Sequence, residues 1–126
     1  MARVIGLGGI FFKARDPKAL ADWYAKHLGL PVSNFGGVKF EEDAKRPGCT
    51  LWTPFKEDTQ HFAPSTKPFM FNFRVDDLDA LLAQLRGAGV QVDAKVDKSE
   101  YGAFGWIMDP EGNRLELWEP PAAKQP

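Results

Sequence analysis

The chain has 126 residues and a formal net charge of −1, with 44% hydrophobic and 26% charged residues. These values are ordinary for one globular domain, and the lack of a basic block argues against nucleic acid as a partner. No apolar run approaches a membrane span, the N-terminus lacks the regions of a signal peptide, and the single cysteine, Cys49, excludes an intrachain disulfide, so we expect a cytoplasmic protein.

The first half of the chain predicts one helix among short strands. Residues 4–14 are typical of a strand weakened by glycine. Asp16 followed by Pro17 predicts an N-cap and a first helical residue, and Gly29 predicts the end of that helix. We expect further short strands at 31–35, 37–42 and 49–53.

After a proline-rich loop, residues 55–68, the pattern starts again. Residues 69–75 alternate between apolar and mixed side chains, which is typical of a strand. Asp76 and Asp77 then open an amphipathic helix that Gly87 and Gly89 are expected to end. We expect three more strands near 91–95, 103–108 and 114–119.

The two halves are similar in organisation. A shift of 61 residues aligns Asp16 with Asp77, and a shift of 66 residues aligns Leu51 with Leu117. This favours a duplicated strand–helix–strand–strand–strand unit over chance similarity of amphipathic segments. We therefore predict an α+β fold in a single domain of 1–126, divided into module one 4–54, a linking loop 55–68, module two 69–120 and a C-terminal tail 121–126.

The helix of each module is expected to cover one face of its sheet. The side chains predicted on the covered face are Phe12, Leu51, Phe71, Phe73, Leu115 and Leu117. The opposite face is predicted to carry Gly9, Phe11, Lys13, Thr50 and Trp52 from the first module, and Met70, Asn72, Arg74, Glu116 and Trp118 from the second. A mixed polar and aromatic face suits a ligand cavity, and the alternative is a solvated sheet face.

Three segments resemble the vicinal oxygen chelate superfamily, which includes glyoxalases, extradiol dioxygenases and bleomycin-resistance proteins. They are DPKALADWYAKHLGL, VDDLDALLAQLRGAGV and DPEGNRLELWEP. The resemblance extends from about Leu7 to Pro120. It implies two βαβββ modules that form a cupped mixed sheet with helices on the outer face. It also implies a divalent metal at the centre, which chelates two neighbouring substrate oxygens.

The resemblance places the metal ligands of the family at Gly9, Thr50, Met70 and Glu116. Only Glu116 is a competent ligand for a hard ion, because glycine has no side chain, a thioether suits soft ions and a neutral hydroxyl is weak. A catalytic zinc normally needs three protein ligands. We therefore expect a degenerate metal site and no cofactor, with a divalent metal disfavoured but open.

Three roles are possible for the Glu116 side chain. It is a metal ligand, half of a buried ion pair with Arg74 or Arg114, or an acceptor for a substrate hydroxyl or a cationic ligand, and we favour the last two. His61, in the linking loop, is a candidate acid or base at a pocket mouth. Catalytic roles stay unassigned, with Glu116, Arg74 and His61 as candidates. Cys49 is expected to be a small buried residue under the helix.

Two functions follow as hypotheses. The first is a binding protein similar to the bleomycin-resistance proteins, which sequesters a small flat or aromatic molecule without a metal. Its predicted ligand-binding residues are Phe11, Thr50, Trp52, Met70, Asn72, Arg74, Trp106, Glu116 and Trp118. The second is a divergent metal-dependent lyase, isomerase or dioxygenase of the same superfamily. A structural partner protein with an empty cavity is a third, and in each case we expect a homodimer with no membrane partner.

Overall fold

A computed structural model describes residues 2–4, 7–45 and 48–122 of the chain. They fall into two compact units, Met1–Glu57 and Asp58–Pro126. The regular elements are, in chain order, α1 (Pro17–Leu28), β1 (Phe71–Arg74), α2 (Leu78–Gly87), β2 (Val92–Ser99), β3 (Gly102–Met108) and β4 (Arg114–Glu119). The predicted α+β fold class is confirmed. No helix in the described ranges is long and apolar enough to cross a membrane.

Two predicted segments extend beyond the described residues. The strand predicted at 4–14 includes residues 5 and 6, and the predicted tail 121–126 includes residues 123–126. These residues lie outside the part of the chain that the structure describes, so the predictions are compared only over the remainder.

In the first unit, α1 has the two ends that the sequence predicts. The Asp16 carboxylate caps the helix by accepting a hydrogen bond from the backbone N–H of Ala19 at 3.1 Å. Gly29 ends the helix in the left-handed conformation, at φ 69°, which glycine adopts without steric cost. One face of α1 buries Leu20 and Tyr24.

The strands expected in the first half are not formed in the described residues of the first unit. The chain makes a turn across the end of predicted strand 31–35 and the start of predicted strand 37–42. In this turn Ser33 donates its backbone N–H to the carbonyl of Gly37 at 2.9 Å, and Gly36 has φ 91°. A strand persists only where a neighbouring strand supplies partners for its backbone groups, and glycine has low β propensity. The segments that form no strand are 7–14, 31–35, 37–42 and 49–53.

Without those strands, side chains predicted to be covered are open to solvent. Phe12 is 45% exposed and Leu51 is 67% exposed. The prediction that Cys49 is buried is wrong, because its thiol is free and the residue is exposed. The reason is that 49–53 forms no strand, so there is no sheet face under which the side chain could pack.

The second unit contains a complete βαβββ arrangement, as predicted for module two. The sheet order is β1-β4-β3-β2, with β1 parallel to β4 and the other two pairs antiparallel. Asp77 caps α2 by accepting from the backbone N–H of Ala80 at 3.1 Å. Gly87 is the last helical residue and Gly89 follows at φ 81°, so the predicted end of the helix is confirmed.

The helix α2 covers one face of this sheet. Six fully buried side chains make up the centre of that layer: Leu78, Leu82, Leu85, Ile107, Leu115 and Leu117. Gly105 permits the close packing, because a Cβ there would lie only 2.9 Å from Cδ1 of Leu82. Gly105 is paired with Leu117 in the ladder, so Leu117 faces α2 and its neighbour Glu116 faces away.

A tight turn sets the register of β3 against β4. The Asp109 carboxylate accepts hydrogen bonds from the backbone N–H groups of Glu111, at 2.8 Å, and Asn113, at 2.9 Å. The side-chain amide of Asn113 donates to the same carboxylate at 2.7 Å, and Gly112 has φ 82°. Because this turn is fixed, Trp106 lies directly opposite Glu116.

Candidate functional site

Glu116 lies in the middle of β4 on the sheet face opposite α2. Its side chain is 14% exposed. Its ladder partners are Asn72 in β1 and Trp106 in β3. Three adjacent strands therefore place an amide, a carboxylate and an indole in one row across the sheet, which we call the Glu116 row.

Three nitrogen atoms converge on the Glu116 carboxylate. The Asn72 amide donates to Oε1 at 2.7 Å, and the Trp106 indole N–H donates to Oε2 at 2.9 Å. His61 reaches in from the linking loop and places its Nε2 3.1 Å from Oε2. These contacts replace hydrogen bonds to the water that burial removes from the carboxylate.

Trp106 is held on several sides. The Arg114 guanidinium lies 5.5 Å and the Lys95 ammonium 5.7 Å from the indole ring centroid. The His61 ring meets the indole edge-on, at 6.0 Å and 87°. Cations are attracted to an indole face by its quadrupole, and the residue is 3% exposed. This packing fixes the direction of the indole N–H toward Glu116.

The ion pair predicted between Glu116 and Arg74 or Arg114 is not formed. Arg114 is buried and pairs instead with the Asp93 carboxylate at 3.3 Å. Arg74 is exposed and makes no hydrogen bond or ion pair with any residue in the described ranges. The physical reason is register, since Asn72 rather than Arg74 lies opposite Glu116.

Asp93 is expected to make the stability of the second unit depend on pH. The backbone N–H of Lys95, at 2.9 Å, and the Arg114 guanidinium lower the pKa of the Asp93 carboxyl below 3.8, against the opposing effect of burial. A carboxyl with a lowered folded pKa stabilises the protein above its unfolded pKa, and that contribution is lost as pH falls through the folded value. We expect Asp93→Asn to lower the free energy of unfolding at neutral pH by less than about 1 kcal/mol.

The same difference is expected to shrink as the pH falls below about 4, where the wild-type carboxyl takes up its proton. Guanidinium unfolding of both proteins, at neutral pH and at about pH 2, measures this. A difference that is as large in acid as at neutral pH would contradict the proposed role of the Asp93 charge.

A second row crosses the sheet two residues further along β1 and β4. Arg74 is paired with Trp118, and Trp118 with Phe104. The rings of Phe104 and Trp118 stack at a centroid distance of 6.0 Å and an angle of 6°. The Trp118 indole N–H donates to the backbone carbonyl of Tyr101 at 2.8 Å, which fixes the ring. We call these three residues the Arg74 row.

The remaining predicted site residues lie apart from these rows in the chain. Met70 is half-buried just before β1. Gly9, Phe11, Thr50 and Trp52 belong to the first unit, where they are exposed, Phe11 to 96% and Trp52 to 80%. Their part in ligand binding stays a prediction.

A cleft of about 260 Å³ opens elsewhere in the second unit, beside the start of α2. Its lining includes Leu78, Lys98, Gly102 and Glu119, and the Lys98 ammonium pairs there with the Asp79 carboxylate at 3.1 Å. Because Glu116 is not in that lining, this cleft is not the cavity that the sequence predicts on the face opposite the helix.

The residues near Glu116 do not fit a divalent metal. Over the described part of the chain, no group of three or more His, Cys, Asp and Glu side chains could hold a metal ion together. The N–H groups of Asn72 and Trp106 also point at the two oxygens of Glu116, where a cation would need free lone pairs. We therefore derive no chemical step through a metal.

A family model of the glyoxalase-like domain matches residues 9–118. The chain belongs to this glyoxalase-like family. The superfamily resemblance drawn from the three sequence segments is thereby confirmed. No curated protein matches the chain.

Several solved structures are similar to this glyoxalase-like chain. TnmS3, an antibiotic binding protein from Streptomyces sp. CB03234, is 20% identical with a TM-score of 0.52, over 84% of this chain and 88% of that one. A glyoxalase/bleomycin resistance protein/dioxygenase from Alicyclobacillus acidocaldarius is 19% identical with a TM-score of 0.48, over 90% of this chain and 92% of that one.

Other solved structures are matched over shorter stretches. A member of the glyoxalase/bleomycin resistance protein/dioxygenase superfamily from Sphaerobacter thermophilus DSM 20745 is 26% identical with a TM-score of 0.36, over 39% of this chain and 40% of that one. The match to a conserved domain protein, 18% identical with a TM-score of 0.39, covers 42% of this chain and 47% of that one. The chain thus spans less than half the length of these two structures.

Proposed function

We propose that this glyoxalase-like protein binds a small flat or aromatic molecule on the sheet face opposite α2, without a divalent metal. The observation that supports this is the Glu116 row, in which a half-buried carboxylate is held by Asn72, Trp106 and His61. The stacked rings of the Arg74 row lie beside it on the same face. Ligand sites typically combine aromatic contact area with a few fixed polar groups, and this face has both.

The members of the Glu116 row and His61 would have different tasks in ligand binding. Trp106 is buried and Glu116 is nearly so, whereas Asn72 is exposed and the His61 side chain is 39% exposed. A polar group on the ligand would therefore meet Asn72 and His61 first. Glu116 and Trp106 would keep those two side chains in a fixed orientation, which reduces the entropy lost on binding.

The second candidate is a metal-dependent lyase, isomerase or dioxygenase of the same superfamily. The observation that favours it is the contact between His61 and Glu116, since imidazole and carboxylate are both common metal ligands. A metal in this position would compete with the N–H donors of Asn72 and Trp106 for the lone pairs of the carboxylate. We therefore place this function second.

Thermal melting with two planar probes, 2-naphthol and 1,4-dihydroxyanthraquinone, tests the first proposal. A probe at a hundredfold excess over its Kd stabilises the folded state by about 2.7 kcal/mol, so the Tm should rise by several degrees. We expect the same rise in excess EDTA, and in the Lys98→Gln variant, whose substitution lies on the helix-covered side. We also expect metal analysis of protein purified without chelators to give far less than one equivalent.

The opposite results would reassign the function. A melting shift that EDTA abolishes, or a stoichiometric metal that survives dialysis, would support the metal-dependent enzyme. If neither probe moves the Tm of the wild-type protein at its solubility limit, binding of flat molecules on this face would be refuted.

The homodimer and the cytoplasmic location stay predictions. β1 is an edge strand of the four-stranded sheet in the second unit, and edge strands are common sites of pairing between subunits. Sedimentation equilibrium measures the oligomeric state directly, and a monomer at high protein concentration would refute the dimer.

A further inference from the structure

We propose that the molecule bound on this sheet face is a planar aromatic anion, and that Arg74 binds its negative charge. The inference rests on the proposed function and adds the chemical class of the ligand. It follows from the distribution of charge over the two rows, because the charged groups near the bound molecule decide which sign of ligand is favoured.

The other charged groups near this face already have partners. Both oxygens of Glu116 accept hydrogen bonds, Oε1 from Asn72 and Oε2 from Trp106. The Arg114 guanidinium pairs with a carboxylate at 3.3 Å, and the Lys95 ammonium lies 3.6 Å from the Asp97 carboxylate. The carboxylates beside Arg114 and Lys95 offset those two positive charges and so weaken their attraction for a ligand anion.

Arg74 differs from them. It is exposed, and within the described residues it forms no hydrogen bond or ion pair. Its guanidinium therefore keeps five N–H donors in a planar fork that fits a carboxylate or a phosphate with two parallel hydrogen bonds. The position of Arg74 on the sheet is what distinguishes it from an ordinary solvated arginine.

That position is next to a flat aromatic surface. Arg74 lies opposite Trp118 in the parallel ladder, and the Trp118 ring stacks on Phe104 at an angle of 6°. Asn72, two residues before Arg74, belongs to the same face. A planar ligand lying over this face would place an anionic substituent within reach of the guanidinium.

A cationic ligand is disfavoured by the same geometry. Both oxygens of Glu116 accept hydrogen bonds from N–H groups and its side chain is only 14% exposed, so a cation could contact this carboxylate only in competition with those donors. Arg74 would repel the cation. The face should therefore discriminate between ligands of the same shape by charge, with anion preferred over neutral and neutral over cation.

Titration calorimetry with three probes of nearly the same shape tests this: 2-naphthoate, 2-naphthamide and 2-naphthylmethylammonium. The wild-type protein is expected to bind the naphthoate on the order of tenfold more tightly than the amide, which corresponds to one charge-assisted contact. Arg74→Gln should remove this preference, so that the variant binds the naphthoate and the amide with equal affinity. Arg74→Lys should keep only part of the preference for naphthoate, because an ammonium retains the positive charge but lacks the planar fork.

Lys98→Gln is the matched control, since it removes the same charge from the helix-covered side of the same unit. It should leave the preference for naphthoate unchanged, whereas added salt should reduce that preference in the wild-type protein. Melting curves establish that the variants are folded. If Arg74→Gln does not fold, the Arg74→Lys variant and the dependence on salt decide the question.

The outcomes separate the two proposals. Equal affinity for naphthoate and amide in the wild-type protein, or a preference that survives Arg74→Gln, would overturn the anion inference and leave binding of flat molecules standing. Tightest binding of the ammonium probe would overturn it in favour of Glu116 as the anchor. Binding of none of the three probes would overturn the proposed function together with this inference.

Discussion

Replacement of Gly102 by alanine is expected to lower the free energy of unfolding by about 3 kcal/mol. Gly102 begins β3 at φ 112°, a conformation that residues with a Cβ rarely adopt. A Cβ at this position would overlap the backbone carbonyl of Glu119 and lie 2.9 Å from Nε1 of Trp118. A backbone atom cannot move aside as a flexible side chain does, so the strain would spread into the pairing of β3 with β4.

Gly87→Ala is the matched control. Gly87 is the last residue of α2, and an added Cβ there would have no heavy atom within 4 Å. Alanine is favoured over glycine in a helix, so this variant should be unchanged or more stable by about 0.5–1 kcal/mol. Guanidinium unfolding measures both variants. A Gly102→Ala protein as stable as the wild type would show that the start of β3 does not lie against the end of β4.

Local signals in the sequence predict the helices correctly because their ends depend on single residues. Asp16 and Asp77 each cap a helix with a carboxylate, and Gly29 supplies the left-handed conformation that ends α1. The alternation in β4 is equally local, so it correctly places Leu117 toward the helix and Glu116 away from it. Neither signal depends on which strands are neighbours.

Strand pairing is not local, and the sequence predictions fail where they depend on it. The first half has strand-like composition, yet in its described residues no partner strand satisfies the backbone groups and no strand forms. The exposure of Cys49 follows from this, because a residue can be buried under a helix only if the strand that carries it exists.

The partners of Glu116 show the same limit within the correctly predicted half. Its hydrogen bond to Asn72 depends on the parallel register of β1 with β4, which no residue pattern specifies. The sheet face of Phe104 could be predicted from the sequence, since Phe104 lies two residues from Trp106 and so shares its face. The sheet face of Asp93 could not be predicted, because the register of β2 shifts between Val92 and Val96 and alternation no longer assigns a face there.

Replacement of Glu116 by alanine is expected to reduce both the stability of the protein and its binding of ligand. The change leaves the indole N–H of Trp106, a residue 3% exposed, without its acceptor, and the amide of Asn72 loses its partner as well. An unsatisfied buried donor costs about 1–3 kcal/mol, so we expect the free energy of unfolding to fall by about 2–3 kcal/mol. We also expect the melting shift with 2-naphthol to be lost, because Asn72 and His61 are no longer held in place.

Glu100→Ala is the control for removal of one acidic charge, since Glu100 lies in the exposed turn between β2 and β3. It should change the free energy of unfolding by no more than about 0.5 kcal/mol. Glu116→Gln should lie between the two, because its carbonyl oxygen still accepts one hydrogen bond while its amide group opposes a second N–H donor.

The two measurements on Glu116→Ala distinguish three roles for the carboxylate. Loss of both stability and binding is the expected result, and it would mean that the row supports the sheet and the ligand through the same contacts. Loss of binding alone would mean that water solvates Trp106 and Asn72 once the carboxylate is gone, so that Glu116 acts as a ligand contact. Loss of stability alone would confine Glu116 to orienting the indole, and would shift the site toward the Arg74 row.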